Sequence, residues 1–416
     1  MMGVREMSEL NASQQRIADT HEGMIVVDAG PGTGKTHTIV ERYIRLISRP
    51  DISPKDVLLM TFTNNAASEM EERIKRKMTE NHMEKDSKLV MTKTFDAFCL
   101  SIVLDSPDLV SEFFGLGERL TRAATMQQNE SLKKDYFLRF MDGFLDSRGM
   151  DYGDAAIIAS EDPLSLMGLI NNLMSRGIIP LKRGWFGNKW EQALNGDTSE
   201  VLNSLLENNA VNNTKCINWD VLNKLDDNNC YGKPQRGGTE PVPQEIIESC
   251  SNEDRKQLFD FVHDVYYEYI KKSIIDNRLT FNLVAIMALT VLYTKQSVRE
   301  RNSFRYLMVD EFQDTNANQL MISLMILSEP NLCVVGDWKQ GIYGFRYVSI
   351  ENITKFEEKA VEYRRFLNED GNKRVRFSIP EEIKLPLDMN YRSSQKIIDL
   401  AYQCICLEGS NGEKID

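Results

Sequence analysis

The strongest constraint on this chain is a glycine-rich loop that follows an apolar stretch and precedes a helical pattern. The apolar stretch covers residues 25–29, and apolar side chains recur at helical spacing between residues 39 and 47. Glycines let the backbone of such a loop turn its N–H groups inward, where the first turn of the helix adds partial positive charge. The loop departs from the phosphate-binding pattern only at its first position, where Ala29 stands. It therefore predicts a polyphosphate cradle.

Eight consecutive residues form the predicted cradle, and the last two carry its chemistry. The cradle comprises Ala29, Gly30, Pro31, Gly32, Thr33, Gly34, Lys35 and Thr36. We expect Lys35 to reach the β- and γ-phosphates of a nucleotide, and the Thr36 hydroxyl to bind Mg²⁺. The alternative is a glycine-rich loop that matches the pattern by chance. The strand signal before the loop and the helix signal after it argue against that alternative.

The composition is typical of a globular protein. The chain has 416 residues, of which 42% are apolar, so we expect roughly two or three domains of about 150 residues each. The first residues lack an apolar signal-peptide core and no run is long enough to span a bilayer, which predicts a cytoplasmic protein. A net charge of −12 argues against a generally basic surface for nucleic acid but is compatible with a local basic groove. Seven scattered cysteines without a C-x-x-C pair predict reduced thiols and no metal site.

Two further strand-to-helix transitions predict a parallel, doubly wound sheet. Residues 57–60 form an apolar strand pattern that leads into a charged helix, and a similar transition follows near residue 94. The polar and aromatic residues at these two strand ends are Thr61, Phe62, Thr63, Asn64, Thr94 and Phe95. Because the ends of parallel strands face the ligand crevice, we expect these side chains to contact a substrate. Ordinary turn chemistry is the alternative.

A change of pattern between Asp105 and Asp276 predicts a separate domain inserted in the first. Helical periodicity dominates this stretch, and it contains no strong strand pattern. An asparagine-rich segment over residues 195–229, followed by several prolines and glycines, indicates a flexible connection. Lys182 and Arg183, close to Trp185, either line a path for a nucleic-acid strand or form an ordinary surface with a half-buried tryptophan.

The chain returns to the sheet with a strand that ends in two adjacent carboxylates. Residues 306–309 are apolar, and Asp310 and Glu311 follow them. A nucleotide hydrolase needs one acid bound to Mg²⁺ and a second acid that orients or deprotonates the attacking water. We therefore assign Asp310 to the metal and Glu311 to the water. The next strand, residues 332–335, leads to Gln340, which is placed to sense the γ-phosphate.

An aromatic loop follows Gln340. Phe345 stands beside Arg346 in this loop, a combination that stacks on the bases of single-stranded nucleic acid. Such stacking contributes about 1–3 kcal/mol per base. Packing of the aromatic ring beneath the loop is the alternative.

The first helical pattern, over residues 10–18, precedes the apolar strand. Asn11 or Ser13 is its expected N-cap. Gln14 in this helix carries a planar amide, which suits recognition of an adenine edge. Taken alone, the segment is also compatible with an ordinary helix.

These motifs and their order resemble those of superfamily 1 DNA helicases of the UvrD/Rep type, over Leu10 to Ser394. The resemblance implies a RecA-like P-loop NTPase fold, ATP and Mg²⁺ as cofactors, and ATP-dependent DNA helicase or translocase activity with 3′ to 5′ polarity. The expected partner is single-stranded DNA or a 3′-tailed duplex. It implies adenine contacts from Gln14 and Tyr391, and catalytic roles for four residues. These catalytic residues are Lys35, Glu311, Gln340 and Arg392. The residues expected to contact single-stranded DNA are Thr61, Phe62, Thr63, Asn64, Thr94, Phe95, Phe345 and Arg346.

The resemblance also implies a domain organisation. Residues 1–104 and 277–385 are expected to form the ATP-binding motor domain, residues 105–276 the inserted accessory domain, and residues 386–416 the start of a second motor domain. We expect a missing C-terminal half or a second chain to supply the rest of that domain. Two other function classes remain open. One is a nucleotide-binding regulatory subunit of a DNA repair or recombination complex that does not unwind DNA, and the other is a P-loop ATPase unrelated to DNA.

Overall fold

The chain divides into two compact units. The computed structural model describes residues 10–405, except residues 118–119, 122–123, 128, 153–162, 195–243 and 341–350. The first unit comprises Met1–Phe95, Arg299–Thr315 and Ser323–Asp416, and the second comprises Asp96–Val298 and Asn316–Ile322. The division into motor, accessory and second motor domains that the sequence indicates stays a prediction.

Six parallel strands form the central sheet of the first unit, and two short ladders belong to the second unit. In chain order the strands are β1 (Met24–Ala29), β2 (Val57–Thr61), β3 (Met91–Thr94), β4 (Thr125–Met126), β5 (Ile179–Pro180), β6 (Trp185–Phe186), β7 (Arg278–Leu279), β8 (Tyr306–Val309), β9 (Leu332–Gly336) and β10 (Ile383–Leu387). The central sheet has the order β10-β1-β9-β8-β2-β3, and each pair in it is parallel. The predicted α/β fold with a parallel sheet is therefore confirmed.

Helices connect these strands and make up most of the second unit. In chain order the α-helices are α1 (Ala12–Asp19), α2 (Lys35–Ile47), α3 (Asn64–Glu80), α4 (Phe95–Asp105), α5 (Pro107–Phe113), α6 (Glu130–Arg148), α7 (Pro163–Ser175), α8 (Gln244–Ile275), α9 (Phe281–Thr294), α10 (Gln296–Arg301), α11 (Ala317–Met325), α12 (Glu351–Thr354), α13 (Phe356–Leu367) and α14 (Gln395–Ile405). Short 3₁₀-helices occupy Pro54–Asp56, Glu84–Leu89, Gly149–Tyr152, Phe312–Asp314 and Trp338–Gln340. Within the part of the chain that the structure describes, no helix combines the length and the apolar character needed to cross a membrane.

The carboxyl ends of the central strands meet at one edge of the sheet. Asp28 of β1 pairs with Gly336 at the end of β9. Val309 at the end of β8 pairs with Val334 of β9 and with Met60 of β2. Parallel sheets of this kind bind ligands outside the carboxyl ends of their strands. The loops after β1, β8 and β9 therefore lie at the edge where a ligand is expected.

Apolar side chains on the strands and on α2 form the core beneath this edge. β2, β8 and β9 are buried along their whole length, which is typical of parallel strands covered on both faces. Ile25 and Val27 of β1 belong to the same buried cluster as Ile39 and Ile44 of α2. Burying one such side chain contributes roughly 1.5–3 kcal/mol. This packing fixes α2, and the loop that precedes it, against the sheet.

A buried arginine holds the first helix beside α2. Arg42 of α2 is 2% exposed. Its guanidinium group donates to the carbonyl oxygens of Ile17 at 2.8 Å, Thr20, and His21 at 3.1 Å. These carbonyls belong to the last turn of α1 and the residues after it, where the helix dipole favours a cation. The contact therefore holds the end of α1 against α2.

The second unit is mainly helical, and its short hairpin carries the basic and aromatic cluster noted in the sequence. α9 is buried over most of its length. Trp185 of β6 is half-buried, and its ring stacks on that of Trp190 with 6.1 Å between centroids. Lys182 and Arg183, between β5 and β6, are exposed. Trp185 is thus half-buried and follows an exposed basic turn, and a role of this cluster as a path for nucleic acid stays a prediction.

Candidate nucleotide-binding site

The glycine-rich loop joins the end of β1 to the start of α2, as its sequence pattern predicts. Gly32 (φ 76°) and Gly34 (φ 84°) lie in the left-handed region, which glycine adopts without a steric penalty. The Thr33 hydroxyl donates to the Gly30 carbonyl oxygen at 2.8 Å, so the loop is folded by its own hydrogen bond. Backbone N–H groups at the start of a helix have no intrahelical partner, and they suit a bound phosphate.

The lysine of this loop forms an ion pair with a predicted catalytic acid. Lys35 Nζ lies 2.8 Å from Glu311 Oε2. Glu311 comes shortly after β8, and its backbone is left-handed (φ 50°, ψ 46°). A residue other than glycine in that region costs about 1–3 kcal/mol and is typical of a functionally constrained position. The Glu311 side chain is 37% exposed, so water can reach a carboxylate that a cation holds in place.

Asp310, between β8 and Glu311, is a buried carboxylic acid. It is 7% exposed, and its Oδ1 atom has no hydrogen-bond partner among the residues that the structure describes. Burial raises the pKa of Asp310 to about 6, and the Glu311 carboxylate acts in the same direction, whereas the Lys35 ammonium group lowers it. An unpartnered carboxylate oxygen fits a divalent cation, because Mg²⁺ binds through oxygen ligands. Thr36, the other predicted ligand, is half-buried at the start of α2.

We expect Asp310→Asn to stabilise the nucleotide-free protein near neutral pH. The folded protein raises the Asp310 pKa from its ordinary value of 3.8 to about 6. Between these values the folded state binds a proton that the unfolded chain releases, so the stability of the wild type falls as the pH rises through this window. Above pH 6 the wild type bears the full cost of burying the ionised carboxylate. An amide has no charge to bury, so the free energy of unfolding of the variant should be higher by roughly 2–3 kcal/mol.

Urea unfolding of the wild type and of Asp310→Asn, at about pH 4 and about pH 7.5, measures this difference. The variant should be the more stable protein at the higher pH, and most of that advantage should disappear at the lower pH. A variant that is less stable than the wild type at the higher pH would show that the carboxylate makes a favourable contact in the free protein.

Two residues that the sequence interpretation missed, Gln313 and Asp337, connect Glu311 to Gln340. Gln313 Nε2 donates to Glu311 Oε2 at 2.9 Å, and Gln313 Oε1 accepts from the Asp337 backbone N–H at 3.0 Å. Asp337 Oδ2 accepts from Gln340 Nε2 at 2.8 Å. A Cβ atom at Gly30 would lie 4.0 Å from Asp337 Oδ2, so this carboxylate lies beside the glycine-rich loop. Gln340 and Glu311 therefore belong to one hydrogen-bonded group.

The first helix contacts the glycine-rich loop through Gln14. Asn11 is the N-cap of α1, because its side chain accepts from the Gln14 backbone N–H at 2.8 Å while Gln14 Oε1 accepts from the Asn11 N–H at 3.0 Å. Gln14 is fully buried, and its Nε2 donates to the Thr33 carbonyl oxygen at 3.3 Å. The residue predicted to contact adenine thus lies against the loop, with its amide bonded to the protein itself. Adenine contact stays a prediction.

A loop near residue 390 docks on the backbone of the glycine-rich loop. Asn390 Nδ2 donates to the Pro31 carbonyl oxygen at 2.6 Å, and the Tyr391 N–H donates to the Gly32 carbonyl oxygen at 2.8 Å. A Cβ atom at Gly32 would lie 2.5 Å from Arg392 Cβ, so this close approach requires glycine. Sequence reasoning identified Tyr391 and Arg392 but missed the role of Asn390 in bringing them to the loop.

Tyr391 and Arg392 are both exposed at this position. The Tyr391 hydroxyl accepts from Asn11 Nδ2 at 2.7 Å, which joins the docked loop to the start of α1. Tyr391, predicted to contact adenine, and Arg392, predicted to contact the γ-phosphate, therefore lie beside the loop predicted to bind the phosphates. Their individual roles stay predictions.

The residues predicted to contact DNA differ in exposure. Thr63 and Asn64 are exposed where α3 begins, and Phe62 is half-buried. The buried members of the set are Thr61, Thr94 and Phe95. Thr63 and Asn64 are therefore the best placed of the described set to contact a strand. Phe345 and Arg346 lie outside the residues that the structure describes.

The fold and the site together define a class of protein. A parallel sheet that carries a glycine-rich loop after β1, and acidic residues after β8, is typical of P-loop nucleotide-binding domains. A family model of the UvrD/REP helicase N-terminal domain matches residues 10–361. The chain belongs to this family, which confirms the resemblance noted in the sequence.

Two PcrA helicases are similar to this chain over nearly its whole length. The ATP-dependent DNA helicase PcrA of Staphylococcus epidermidis is 24% identical over 402 residues, which cover 96% of this chain and 40% of that protein. The PcrA helicase of Staphylococcus aureus is 24% identical over 423 residues, which cover 98% of this chain and 43% of that protein. The chain therefore spans less than half the length of these relatives.

Proposed function

We propose that this chain is the ATP-hydrolysing motor part of a DNA helicase or translocase, which couples hydrolysis to movement along single-stranded DNA. The observation that carries the proposal is the 2.8 Å ion pair between Lys35 and Glu311, next to the unpartnered oxygen of Asp310. The cation proposed to bind phosphate, the acid proposed to act on water and the acid proposed to bind a metal then lie at one edge of the sheet. Membership of the helicase family supports this interpretation.

Each of these residues has a proposed role in ATP hydrolysis. Residues 30–34 bind the phosphates through their backbone N–H groups, and Lys35 neutralises charge on the β- and γ-phosphates. Glu311 orients the attacking water and accepts its proton. Asp310 and Thr36 would hold Mg²⁺, which would supply positive charge to the bound phosphates.

The remaining proposed contacts to the nucleotide come from α1 and from the segments that follow β9 and β10. We assign Gln14 and Tyr391 to adenine, which is supported by the 2.7 Å hydrogen bond between Tyr391 and Asn11 at the start of the same helix. Gln340 and Arg392 are assigned to the γ-phosphate. An arginine there stabilises negative charge that develops during phosphoryl transfer.

Single-stranded DNA is the proposed partner. The proposed direction of movement along it, 3′ to 5′, rests on the family resemblance. The exposure of Thr63 and Asn64 after β2 supports contact with a strand at the carboxyl edge of the sheet. Phe345 and Arg346 are proposed to stack on the bases. Because the chain covers 40% of a helicase relative, we propose that a second motor domain, in the same chain or in another, completes the motor.

Steady-state ATP hydrolysis, measured with and without single-stranded DNA, tests this proposal. The chain alone should turn over slowly, because an arginine finger from an opposing domain accounts for about 10³- to 10⁵-fold in comparable systems. Adding the second motor half should produce hydrolysis that DNA stimulates. Hydrolysis that never responds to DNA would favour a P-loop ATPase unrelated to DNA, and stimulation without strand separation would favour a regulatory subunit.

A further inference from the structure

We propose that Gln313 is a positioning residue, which holds the Glu311 carboxylate in place for the attacking water and couples it to the turn that carries Gln340. The inference rests on the proposed function and adds a residue to it. Gln313 is 3% exposed, so its amide is withdrawn from water and must satisfy its hydrogen bonds within the protein.

Backbone chemistry determines which end of the Gln313 amide faces each neighbour. The Asp337 backbone N–H can only donate, so the atom 3.0 Å from it is the Gln313 carbonyl oxygen. The amide nitrogen therefore faces Glu311 Oε2 at 2.9 Å. A hydrogen-bond donor at that point restrains the orientation of the Glu311 carboxylate.

Gln313 and Lys35 hold the same oxygen of Glu311. Lys35 Nζ donates to Oε2 at 2.8 Å, and Gln313 Nε2 donates to Oε2 at 2.9 Å. Lys35 is also the cation assigned to phosphate, so its contact with Glu311 competes with the nucleotide. Gln313, in contrast, is not assigned to the nucleotide. Its donor therefore keeps Glu311 oriented when Lys35 binds phosphate, and the Oε1 atom is left for water.

The end of β9 is shaped to receive the Gln313 amide. A Cβ atom at Gly336 would lie 2.5 Å from Gln313 Oε1 and 2.9 Å from Ile353 Cδ1. Both distances are too short, so a larger residue at Gly336 would displace the Gln313 side chain. Glycine at this position is thus explained by the close approach of Gln313.

The same contacts connect Glu311 to the predicted γ-phosphate sensor. Asp337 donates its backbone N–H to Gln313, and its Oδ2 atom accepts from Gln340 Nε2 at 2.8 Å. Two residues, Gln313 through its side chain and Asp337 through its backbone N–H and its side chain, therefore connect the residue proposed to act on water with the residue proposed to sense phosphate. A shift of Gln340 on nucleotide binding reaches Glu311 through these hydrogen bonds.

Single-turnover ATP hydrolysis, with the full chain in excess over ATP, tests the role of Gln313. Gln313→Glu keeps an acceptor for the Asp337 N–H but places a carboxylate oxygen against Glu311. We expect hydrolysis to slow by about 10- to 100-fold, because small misplacements of catalytic groups have effects of this size. ATP affinity should change by less than about threefold. Gln313→Met, which lacks the amide, should slow hydrolysis similarly and accelerate hydrogen exchange of the Asp337 amide.

Asn331→Asp is the matched control. Asn331 is a buried amide with the same arrangement, since its Oδ1 accepts from the Gly23 N–H at 3.1 Å and its Nδ2 donates to Glu329 Oε2 at 3.1 Å. It precedes β9 and so lies at the opposite end of that strand from Gly336. This control should lower the thermal unfolding temperature about as much as Gln313→Glu does, with hydrolysis close to that of the wild type.

A double variant separates positioning from general destabilisation. If Gln313 acts through Glu311, Gln313→Met combined with Glu311→Gln should hydrolyse ATP no more slowly than Glu311→Gln alone. Fully additive losses would overturn the inference, and so would normal hydrolysis by Gln313→Glu in an enzyme that Glu311→Gln inactivates. Both results would leave the proposed function standing. Normal hydrolysis by Glu311→Gln would instead overturn the role proposed for Glu311, whereas hydrolysis that never responds to DNA would overturn the proposed function.

Discussion

Glu311→Gln is expected to slow ATP hydrolysis by about 10²- to 10⁴-fold in the motor completed by its second half, and to leave ATP binding intact. The amide has the shape of the carboxylate but cannot accept a proton from water. Lys35 loses the partner that lies 2.8 Å away in the free protein, so it is more available to phosphate and affinity should not fall. Single-turnover hydrolysis and nucleotide titration calorimetry measure the two quantities separately.

Glu329→Gln is the control for this experiment. Glu329 pairs with Arg305 at 3.2 Å, and Arg305 precedes β8, at the end of the strand opposite to Glu311. The control should hydrolyse ATP at the wild-type rate. A loss of less than about tenfold in Glu311→Gln would assign the proton-accepting role to another group.

Lys35→Ala is expected to weaken Mg-ATP binding by about 100-fold or more. Charge-assisted hydrogen bonds contribute about 1.5–3 kcal/mol each, and contacts to two phosphates would together account for at least this change. Lys35 is the only basic residue in the predicted cradle. Its pair with Glu311 is partly exposed, so losing that pair should change the stability of the free protein little.

Lys77→Ala provides the matching control for titration calorimetry. Lys77 of α3 also forms a 2.8 Å ion pair, with Glu41 of α2, and it is not part of the glycine-rich loop. Its replacement should leave nucleotide affinity unchanged. Unchanged affinity in Lys35→Ala as well would contradict the assignment of this loop to phosphate.

Local sequence patterns predicted the parts of the site that are continuous in the chain. The spacing of glycines before Lys35 indicates a phosphate loop, because its chemistry depends on neighbouring backbone N–H groups. The apolar run that ends in Asp310 and Glu311 indicates a buried strand with acids at its carboxyl end. Alternation of such strands with helices predicted the parallel sheet, and the six-stranded sheet confirms it.

Contacts between distant segments could not be predicted in this way. Asn390 and Pro31 are 359 positions apart, and Gln313 and Asp337 are 24 positions apart. The contacts of Arg42 could not be predicted either, because its partners are backbone carbonyl oxygens, which no pattern of side chains indicates. The sequence marks Gln313 only by its position two residues after Glu311, and its uncharged side chain does not by itself indicate a catalytic site.

If the proposed roles hold, the ion pair between Lys35 and Glu311 gives the lysine two partners in succession. The Lys35 ammonium group donates to Oε2 of Glu311, the residue proposed to accept a proton from water. Under the proposed mechanism, an incoming triphosphate would compete for that same ammonium group, and Glu311 Oε2 would keep Gln313 as its hydrogen-bond donor. Lys35 would thus pass from one negatively charged partner to another, so its positive charge would be paired both before and after the substrate binds.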